Sequence, residues 1–260
     1  MSPRLAGIFA HPDDDAFGIS GSCALHAVRL EVMVVFATSG ESGRISDATL
    51  ATRDTLGRVR ESEALAAYRV LGVEPDLRFL RYPDGGVSDV DHTDLGSKVA
   101  EALMGFAPEV VITFGPDGIT GHGDHVTIGE VATKAFGRVR DQLGEHGPQR
   151  LLHVAISNAE LDWLSGELRS RGLEAPDPTE PFQPRGVPDE EIAVRVDCSG
   201  VVKRKLDALR EHRTQAAELD DLPQDLWPKV LSSETFVQAW PPREPGSRVM
   251  TDVFEGLRSA

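Results

Sequence analysis

The chain has 260 residues, 40% of them hydrophobic, and a formal net charge of −15 from 27 Lys and Arg against 42 Asp and Glu. This length fits one large α/β domain with a sizeable core. The charge argues against a nucleic-acid phosphate backbone or an anionic membrane surface as partner, so we expect a small-molecule ligand. With only two cysteines, Cys23 and Cys198, the composition excludes a disulfide framework and favours a reducing compartment, the cytoplasm.

No run of the sequence approaches the roughly 20 apolar residues of a membrane span. The apolar run near the N-terminus is soon interrupted by His11. We therefore expect neither membrane insertion nor a signal peptide. The sequence leaves the oligomeric state open, and a homo-oligomer is compatible with it.

Strand-like and helix-like runs alternate along the first part of the chain. The pattern predicts strands over residues 5–10, 32–38, 77–82, 110–114 and 151–157, with helices near residues 17–29, 56–71, 95–106 and 126–143. Gly72 stands where a helix C-cap is expected. Such alternation predicts an α/β fold with a mainly parallel sheet and helices on both faces, whose loops at one end form the ligand site.

The last third of the chain is less regular. Several prolines between residues 176 and 188 mark an extended connection, followed by a predicted strand at 192–196 and a helix near 201–216. His212 is interpreted as a cation near the end of that helix, complementing its dipole, with a role in the site as the alternative. We predict a single domain over residues 1–260, with a catalytic core at about 1–157 and a C-terminal elaboration at about 158–260. An extended partner-binding tail is the alternative for the final segment.

A first polar cluster follows the opening strand and reads Ala10-His11-Pro12-Asp13-Asp14-Asp15. It places one imidazole and three carboxylates at the carboxyl end of a strand, where open α/β sheets bind ligands. Adjacent acids repel one another unless a cation or a helix N-terminus neutralises them. Helix capping explains one or two such acids. A third acid together with His11 favours a metal site.

A second polar cluster follows the predicted strand at 110–114 and reads Gly121-His122-Gly123-Asp124-His125. Its glycines allow the backbone to approach a ligand closely. Histidine and carboxylate ligands with an open position are typical of catalytic zinc sites, whereas structural zinc sites are usually rich in cysteine. A solvated loop is the simpler interpretation of this segment alone, but two such clusters at strand ends favour one divided metal site.

These motifs resemble those of the LmbE-like, or PIG-L, family of zinc-dependent N-acetylglucosaminyl deacetylases. The resemblance rests on the two clusters and on Thr38-Ser39-Gly40-Glu41, Arg60 with Glu63, Tyr82-Pro83-Asp84-Gly85-Gly86, His212-Arg213-Thr214-Gln215 and Glu234-Thr235-Phe236. It implies a Rossmann-like fold. One departure is Asp15, where the family usually has glutamate, so this side chain is one methylene shorter.

The resemblance implies that His11, Asp14 and His125 bind Zn²⁺. Two nitrogens and one carboxylate leave a position for water or a substrate carbonyl, and such a metal lowers the pKa of bound water toward about 7. Another divalent transition metal such as Fe²⁺ also suits nitrogen and oxygen ligands.

The resemblance also implies three catalytic residues. Asp13 is expected to be the general base that takes a proton from water and returns it to the leaving amine. His122 is expected to stabilise the developing oxyanion. Asp124 is expected to hold a histidine in the required tautomer and orientation.

Three further residues are expected to bind the substrate. Arg60 and Asp84 match residues that contact glucosamine hydroxyls in sugar-binding members, and Glu41 is a third candidate. The alternatives are structural, with Arg60 paired to a helix acid such as Glu63 and Asp84 acting as a turn former.

We therefore expect an enzyme that removes an N-acyl group, most simply acetyl, from an N-acylated amino sugar or a glucosamine-containing metabolite. The alternatives are an amidase for a bulkier N-acyl or thiol conjugate and a sugar-binding protein that keeps the fold without turnover.

Overall fold

The computed structural model describes residues 2–217, 222–244 and 246–258. Five parallel strands form the centre of its sheet: β1 (Arg4–Phe9), β2 (Glu31–Phe36), β3 (Pro75–Phe79), β4 (Val110–Phe114) and β5 (Arg150–Ser157). Their order is β3-β2-β1-β4-β5. This arrangement matches the first five strands of the six-stranded Rossmann order, and it confirms the predicted fold class.

Three strands of the last third complete the sheet beside β5: β6 (Gly186–Val187), β7 (Ile192–Asp197) and β8 (Ser233–Trp240). The two-residue β6 continues parallel to the end of β5. By contrast, β8 pairs antiparallel with β5, and β7 pairs antiparallel with β8. Our prediction included β7 but missed β8.

Helices connect and cover the strands: α1 (Asp14–Gly18), α2 (Ser20–His26), α3 (Leu56–Leu71), α4 (His92–Phe106), α5 (Gly118–Gly121), α6 (Gly123–Leu143), α7 (Asn158–Ser170), α8 (Val202–Leu209) and α9 (Trp227–Val230). Five of these helices form two groups, with α4 packed on α6, and α2 and α3 packed on α8. Right-handed crossovers put α2 and α3 on one face and α4 and α6 on the other. No helix in the described part of the chain is long and apolar enough to cross a bilayer.

Burial explains why these segments become central strands. Every residue of β4 is buried, as are all but the first residues of β1 and β2. These strands are rich in Val, Ile and Phe, which suits a sheet that is covered on both faces. At the end of α3, Gly72 has φ 77 and its backbone N–H donates to Arg69 and Tyr68 carbonyls, which confirms the predicted C-cap.

Two predicted helices differ from those observed. The helix expected at 17–29 consists of α1 and α2, separated at Ile19, which has non-helical backbone angles. The helix expected at 201–216 ends at Leu209, because the following chain turns inward. There the backbone N–H and hydroxyl of Thr214 donate to Glu63 at 2.9 and 2.7 Å. These tertiary hydrogen bonds replace the continuation of a local helix.

The strand order places the candidate site. From β1 the chain moves to β2 and β3 on one side, and it later returns to β4 on the other side of β1. The loops after β1 and β4 therefore separate at this reversal point and leave a crevice, which is where open α/β sheets bind ligands. Both polar clusters of the sequence lie in these two loops.

Candidate metal and catalytic site

The loop after β1 presents His11, Asp13 and Asp14 at the crevice. The Asp14 carboxylate is fixed by the backbone, since the N–H groups of Ala10 and His11 donate to Oδ2 at 3.1 and 2.7 Å. Asp13 has φ 155 and ψ −22, outside the regions normally open to a residue with a Cβ atom. Such local strain is characteristic of functional sites, where the surrounding structure holds it in place.

The loop after β4 presents His122 and His125. Asp117 accepts a hydrogen bond from Ile119 N–H, and Ile119 has φ 66, so the loop turns sharply before α6. His122 is the N-cap of α6, and its Nδ1 accepts the N–H of Asp124 at 3.2 Å. Within the first turn of α6, His125 points to the same crevice and stacks on Phe114, with ring centroids 4.1 Å apart.

Three of the predicted side chains converge. The His11 Nδ1 and His125 Nε2 atoms are 3.2 Å apart. Asp14 lies 3.3 Å from His125 Nε2 through Oδ1 and 3.6 Å from His11 Nδ1 through Oδ2. The structure therefore brings together the complete ligand set that the resemblance implies. One ring nitrogen of His122 also lies within 4.8 Å of donor atoms on His11 and His125.

The outer hydrogen bonds of the two histidines decide which nitrogens face each other. His11 Nε2 lies 3.0 Å from Asp84 Oδ1 and 3.3 Å from Asp124 Oδ2, so this nitrogen carries the proton. His125 Nδ1 donates to the Gly118 carbonyl at 3.1 Å. In the neutral rings the remaining nitrogens, His11 Nδ1 and His125 Nε2, are then lone-pair acceptors.

Two lone-pair acceptors only 3.2 Å apart need a positive charge between them, which either a proton or a metal ion can supply. Burial alone would lower the pKa of His11, but hydrogen bonds with Asp124 and Asp84 outweigh it and raise the pKa to about 10. Burial is likewise outweighed at His125, whose pKa is raised by Asp14. Burial alone would raise the pKa of the Asp14 carboxyl, but His125 and His11 hold it well below the usual range. Positive charge is favoured here, and two imidazoles with one carboxylate fit a divalent metal ion.

Asp124 makes the contacts that an orienting residue needs. Besides reaching His11, its carboxylate accepts the N–H groups of Gly85 at 2.7 Å and Val87 at 3.0 Å, and the residue is buried. Burial favours the neutral carboxyl, yet the hydrogen bond with His11 and these two N–H groups lower its pKa. Asp124 therefore joins the loops after β1, β3 and β4.

His122 lies beside the two other histidines without the same partners. Its ring centroid is 5.0 Å from that of His11 and 4.9 Å from that of His125. Burial and the neighbouring His11 and His125 lower the pKa of His122. A neutral ring whose Nδ1 accepts the Asp124 N–H carries its proton on Nε2, which leaves one defined donor.

Arg60 occupies a different place from the one expected for a sugar contact. Its guanidinium is buried and donates to the Gly40 carbonyl at 2.9 Å, the Pro12 carbonyl at 3.2 Å and Asp13 Oδ2 at 2.8 Å. The sequence alternative, a pair with Glu63, is replaced by this ion pair with Asp13. Arg60 thus holds the residue predicted to be the general base.

Asp84 and Glu41 lie in adjoining loops on the same side of the crevice. The Asp84 oxygens contact His11 and the N–H of Ser42, the latter at 2.8 Å. Glu41 Oε1 accepts the N–H of Asp84 at 2.9 Å. Sequence reasoning missed the contact between Asp84 and His11, because nothing local in Pro83-Asp84-Gly85 indicates a partner from β1.

Asp15 and His212 are buried near the site. Asp15 lies beside the Tyr68 hydroxyl, and burial raises its pKa to about 7. Burial also lowers the pKa of His212, which is packed near Pro12 and Asp13. Our interpretation of His212 as a helix-terminal cation is therefore wrong: α8 ends before it, and its buried ring favours the neutral form.

Comparison with known families agrees with this geometry. The family model described as GlcNAc-PI de-N-acetylase matches residues 7–136, half of the chain, and spans both polar clusters. The chain belongs to the PIG-L family. This membership confirms the predicted family and its N-deacetylase class.

Curated relatives extend the similarity beyond the PIG-L core. The 1D-myo-inositol 2-acetamido-2-deoxy-alpha-D-glucopyranoside deacetylase 1 of Saccharopolyspora erythraea is 33% identical over 245 residues, covering 82% of this chain and 78% of the relative. A deacetylase with the same substrate name from Saccharomonospora viridis is 32% identical over 283 residues, covering 96% of this chain and 99% of the relative.

Solved structures share the fold. An N,N'-diacetylchitobiose deacetylase from Pyrococcus horikoshii has a TM-score of 0.59 and 22% identity, covering 94% of this chain and 85% of that one. A 4-carboxy-2-hydroxymuconate hydratase from Pseudomonas putida has a TM-score of 0.61 and 18% identity, with coverage of 95% and 100%. The second likeness shows that this fold also carries another reaction, so the PIG-L chain's chemistry must be argued from its site.

Proposed function

We propose that this chain is a zinc-dependent hydrolase that removes the acetyl group from an N-acetylglucosaminyl metabolite. The observation that carries the proposal is the convergence of His11 Nδ1, His125 Nε2 and the Asp14 carboxylate within 3.2 to 3.6 Å. In this proposal these three residues bind the metal. When bound, a divalent cation of this kind supplies Lewis acidity toward water and toward an acyl oxygen.

Asp13 is proposed as the general base. It lies in the loop after β1, between His11 and Asp14, two of the proposed ligands. Arg60 occupies Oδ2 at 2.8 Å, while Oδ1 makes no hydrogen bond to any described residue. Oδ1 can therefore accept a proton from the attacking water and later pass it to the leaving amine. The ion pair with Arg60 holds the Asp13 carboxylate in one orientation.

His122 is proposed to stabilise the oxyanion. Its Nδ1 is occupied by the Asp124 N–H, so in the neutral ring Nε2 carries the only ring proton. The lowered pKa of His122 keeps the ring neutral and this tautomer populated. A donor fixed in this way needs no reorganisation when negative charge develops on the acyl oxygen.

The substrate side of the crevice is assigned to the loops that carry Glu41 and Asp84. Glu41 Oε2 has no hydrogen-bond partner in residues 2–217, 222–244 and 246–258, so it can accept a sugar hydroxyl. Arg60 and Asp84, proposed as further hydroxyl contacts, already serve Asp13 and His11 in this structure. The relatives' names support a glucosaminide with a small polar aglycone as the substrate class.

The deciding experiment is hydrolysis of a substrate panel by zinc-loaded protein, with free acetate and new primary amine as readouts. The panel contains N-acetylglucosaminyl inositol, methyl N-acetylglucosaminide, and the same glycoside with longer N-acyl chains. Acetate release that disappears in Asp13→Asn supports the proposal. Release of only longer acids would instead identify the amidase alternative, and sugar binding without hydrolysis would identify a binding protein.

The identity of the metal, the cellular location and the oligomeric state need separate measurements. We propose zinc as the physiological metal, with Fe²⁺ as the competitor that the same donors accept. Activity of the apo-protein after anaerobic addition of each metal distinguishes the two. A cytoplasmic location and assembly into a homo-oligomer remain predictions, which fractionation and light scattering measure directly.

A further inference from the structure

A short segment of the proline-rich connection lies against the loop that carries His122. Arg185 N–H donates to the Ile119 carbonyl at 2.8 Å, and the next residues form β6 beside β5. The segment before β6 is thereby held at the mouth of the crevice. The sequence pattern of this stretch predicted only an extended connection, so the contact comes from the fold.

This segment places an aromatic ring at the site. Phe182 lies 5.3 Å from the His122 ring, centroid to centroid, and is 64% exposed. Its φ of 59 is the left-handed conformation, which costs energy for a bulky side chain. An exposed aromatic residue held in a strained conformation beside a catalytic group is a common feature of ligand-binding sites.

The same segment places a cation next to the ring. A Cβ atom added at Gly121 would lie 2.7 to 2.9 Å from Nη2, Cζ and Nη1 of Arg185, so the guanidinium lies against the bare backbone of this glycine. The glycine, with φ 74, leaves the space that Arg185 occupies. The close contact brings the positive charge next to His122.

The Arg185 guanidinium makes no ion pair or hydrogen bond with any residue in the described ranges 2–217, 222–244 and 246–258. Exposed arginines of this chain such as Arg138 also lack an acid partner within the described part of the chain, but other partly buried ones have partners: Arg195 pairs with Glu160 and Arg140 donates to the Pro148 carbonyl. Although the chain has 42 acidic residues, this half-buried guanidinium at the mouth of the site has no anionic partner among the described ones. Its planar donors match a carboxylate or phosphate in a two-point contact.

We propose that Arg185 and Phe182 form a subsite for a carboxylate or phosphate group that the substrate carries beyond its reacting amide. This inference rests on the proposed function, because it extends the substrate class of the same site. The Phe182 ring shields one side of the anion from water, which strengthens its contact with Arg185. The anion can belong to the aglycone or to the distal end of the acyl chain, and both sources offer the same chemistry.

Three substrates distinguish these sources: methyl N-acetylglucosaminide, its analogue with a carboxymethyl aglycone, and methyl N-succinylglucosaminide. We expect Arg185→Gln to lower kcat/KM by about 10- to 100-fold for one carboxylated substrate, mainly through KM, and to leave the neutral glycoside within about twofold. Arg138→Gln is the control, because it removes an equal charge from an exposed position of α6, about 20 Å along the helix from His125.

Calorimetric titration of the carboxylated compounds into Asp13→Asn protein, with and without Arg185→Gln, measures binding without turnover. Weaker binding in the double variant than in Asp13→Asn alone supports the subsite, even if no compound is hydrolysed. A failure of the proposed hydrolysis is therefore distinguished from a failure of the subsite. Equal losses for all three substrates would assign Arg185 to the reaction or to folding and overturn the proposal. Unchanged kinetics and unchanged binding would overturn it as well.

Discussion

Replacing Gly40 by alanine tests whether Arg60 acts by holding Asp13. An added Cβ would lie 2.8 Å from Arg60 Nε and closer still to Cζ and Nη1. Because ordinary contacts between such atoms are about 3.5 Å or more, the guanidinium must move by roughly 1 Å. Arg60 then loses its 2.8 Å contact with Asp13.

The expected effect has two separable parts. Gly40 has φ 66, so alanine there costs about 1 kcal/mol of stability from backbone strain alone. Gly172 has φ 72 with no atom within 4 Å of an added Cβ, so Gly172→Ala is a matched control for the strain. Only Gly40→Ala also disturbs Asp13, the proposed base, and misplacement of about 1 Å can lower turnover by about 100-fold.

The measurements are kcat, bound metal and thermal midpoint for the two variants. We expect both to keep their metal, both to lose similar stability from strain, and only Gly40→Ala to lose turnover. Wild-type kcat in Gly40→Ala would refute the role assigned to Arg60. Equal loss of kcat in Gly172→Ala would show that strain alone accounts for the effect.

Four further predictions use other residues. Asp13→Asn should retain the metal and lose about 100- to 10,000-fold in turnover, as measured by metal analysis with acetate release. His122→Ala should also retain the metal and lose about 100- to 1,000-fold in kcat, whereas loss of metal would make it a ligand. Lys205→Met removes the partner of the buried Glu234 carboxylate, since both side chains are only 1% exposed. This variant should lower the free energy of unfolding in denaturant by about 3 to 5 kcal/mol. The control Lys203→Met, on the exposed part of the same helix, should lower it by less than about 1 kcal/mol. Burial alone would raise the pKa of Glu160, but its hydrogen bonds outweigh burial and lower the pKa. The ionised carboxylate therefore stabilises the fold above its unfolded pKa, and this stabilisation is lost as pH falls. The difference in free energy of unfolding between wild type and Glu160→Gln should accordingly shrink below about pH 4.3.

The parallel core was predictable because its residues have few alternatives. The short run 110–114 is rich in β-branched residues, which favours a strand buried on both faces, and the observed β4 has those bounds. The strand β8 was missed because its sequence, Ser233–Trp240, mixes polar and apolar residues. It pairs with β5 and β7, and strand pairing with distant partners leaves no local signal.

The site shows the same division. That the clusters containing His11 and His125 lie together could be predicted from the sequence, because both stand at strand ends that the fold brings together, whereas their proposed roles as ligands rest on the family resemblance. The partners of Arg60 and Asp84 could not, since a guanidinium or a carboxylate offers the same donors or acceptors to sugar hydroxyls and to neighbouring residues. Only the packed structure shows that Asp13 and His11 occupy them.

The position of β8 has a consequence for biosynthesis. A ribosome completes β5 well before β8, so the nascent protein exposes the free edge of an apolar strand that includes Leu151 and Leu152. During the same interval Glu234 cannot yet accept the N–H groups of Gly21 and Ser22 at the start of α2. Until β8 is made, this edge can pair with another chain, and slower translation past residue 157 lengthens that interval.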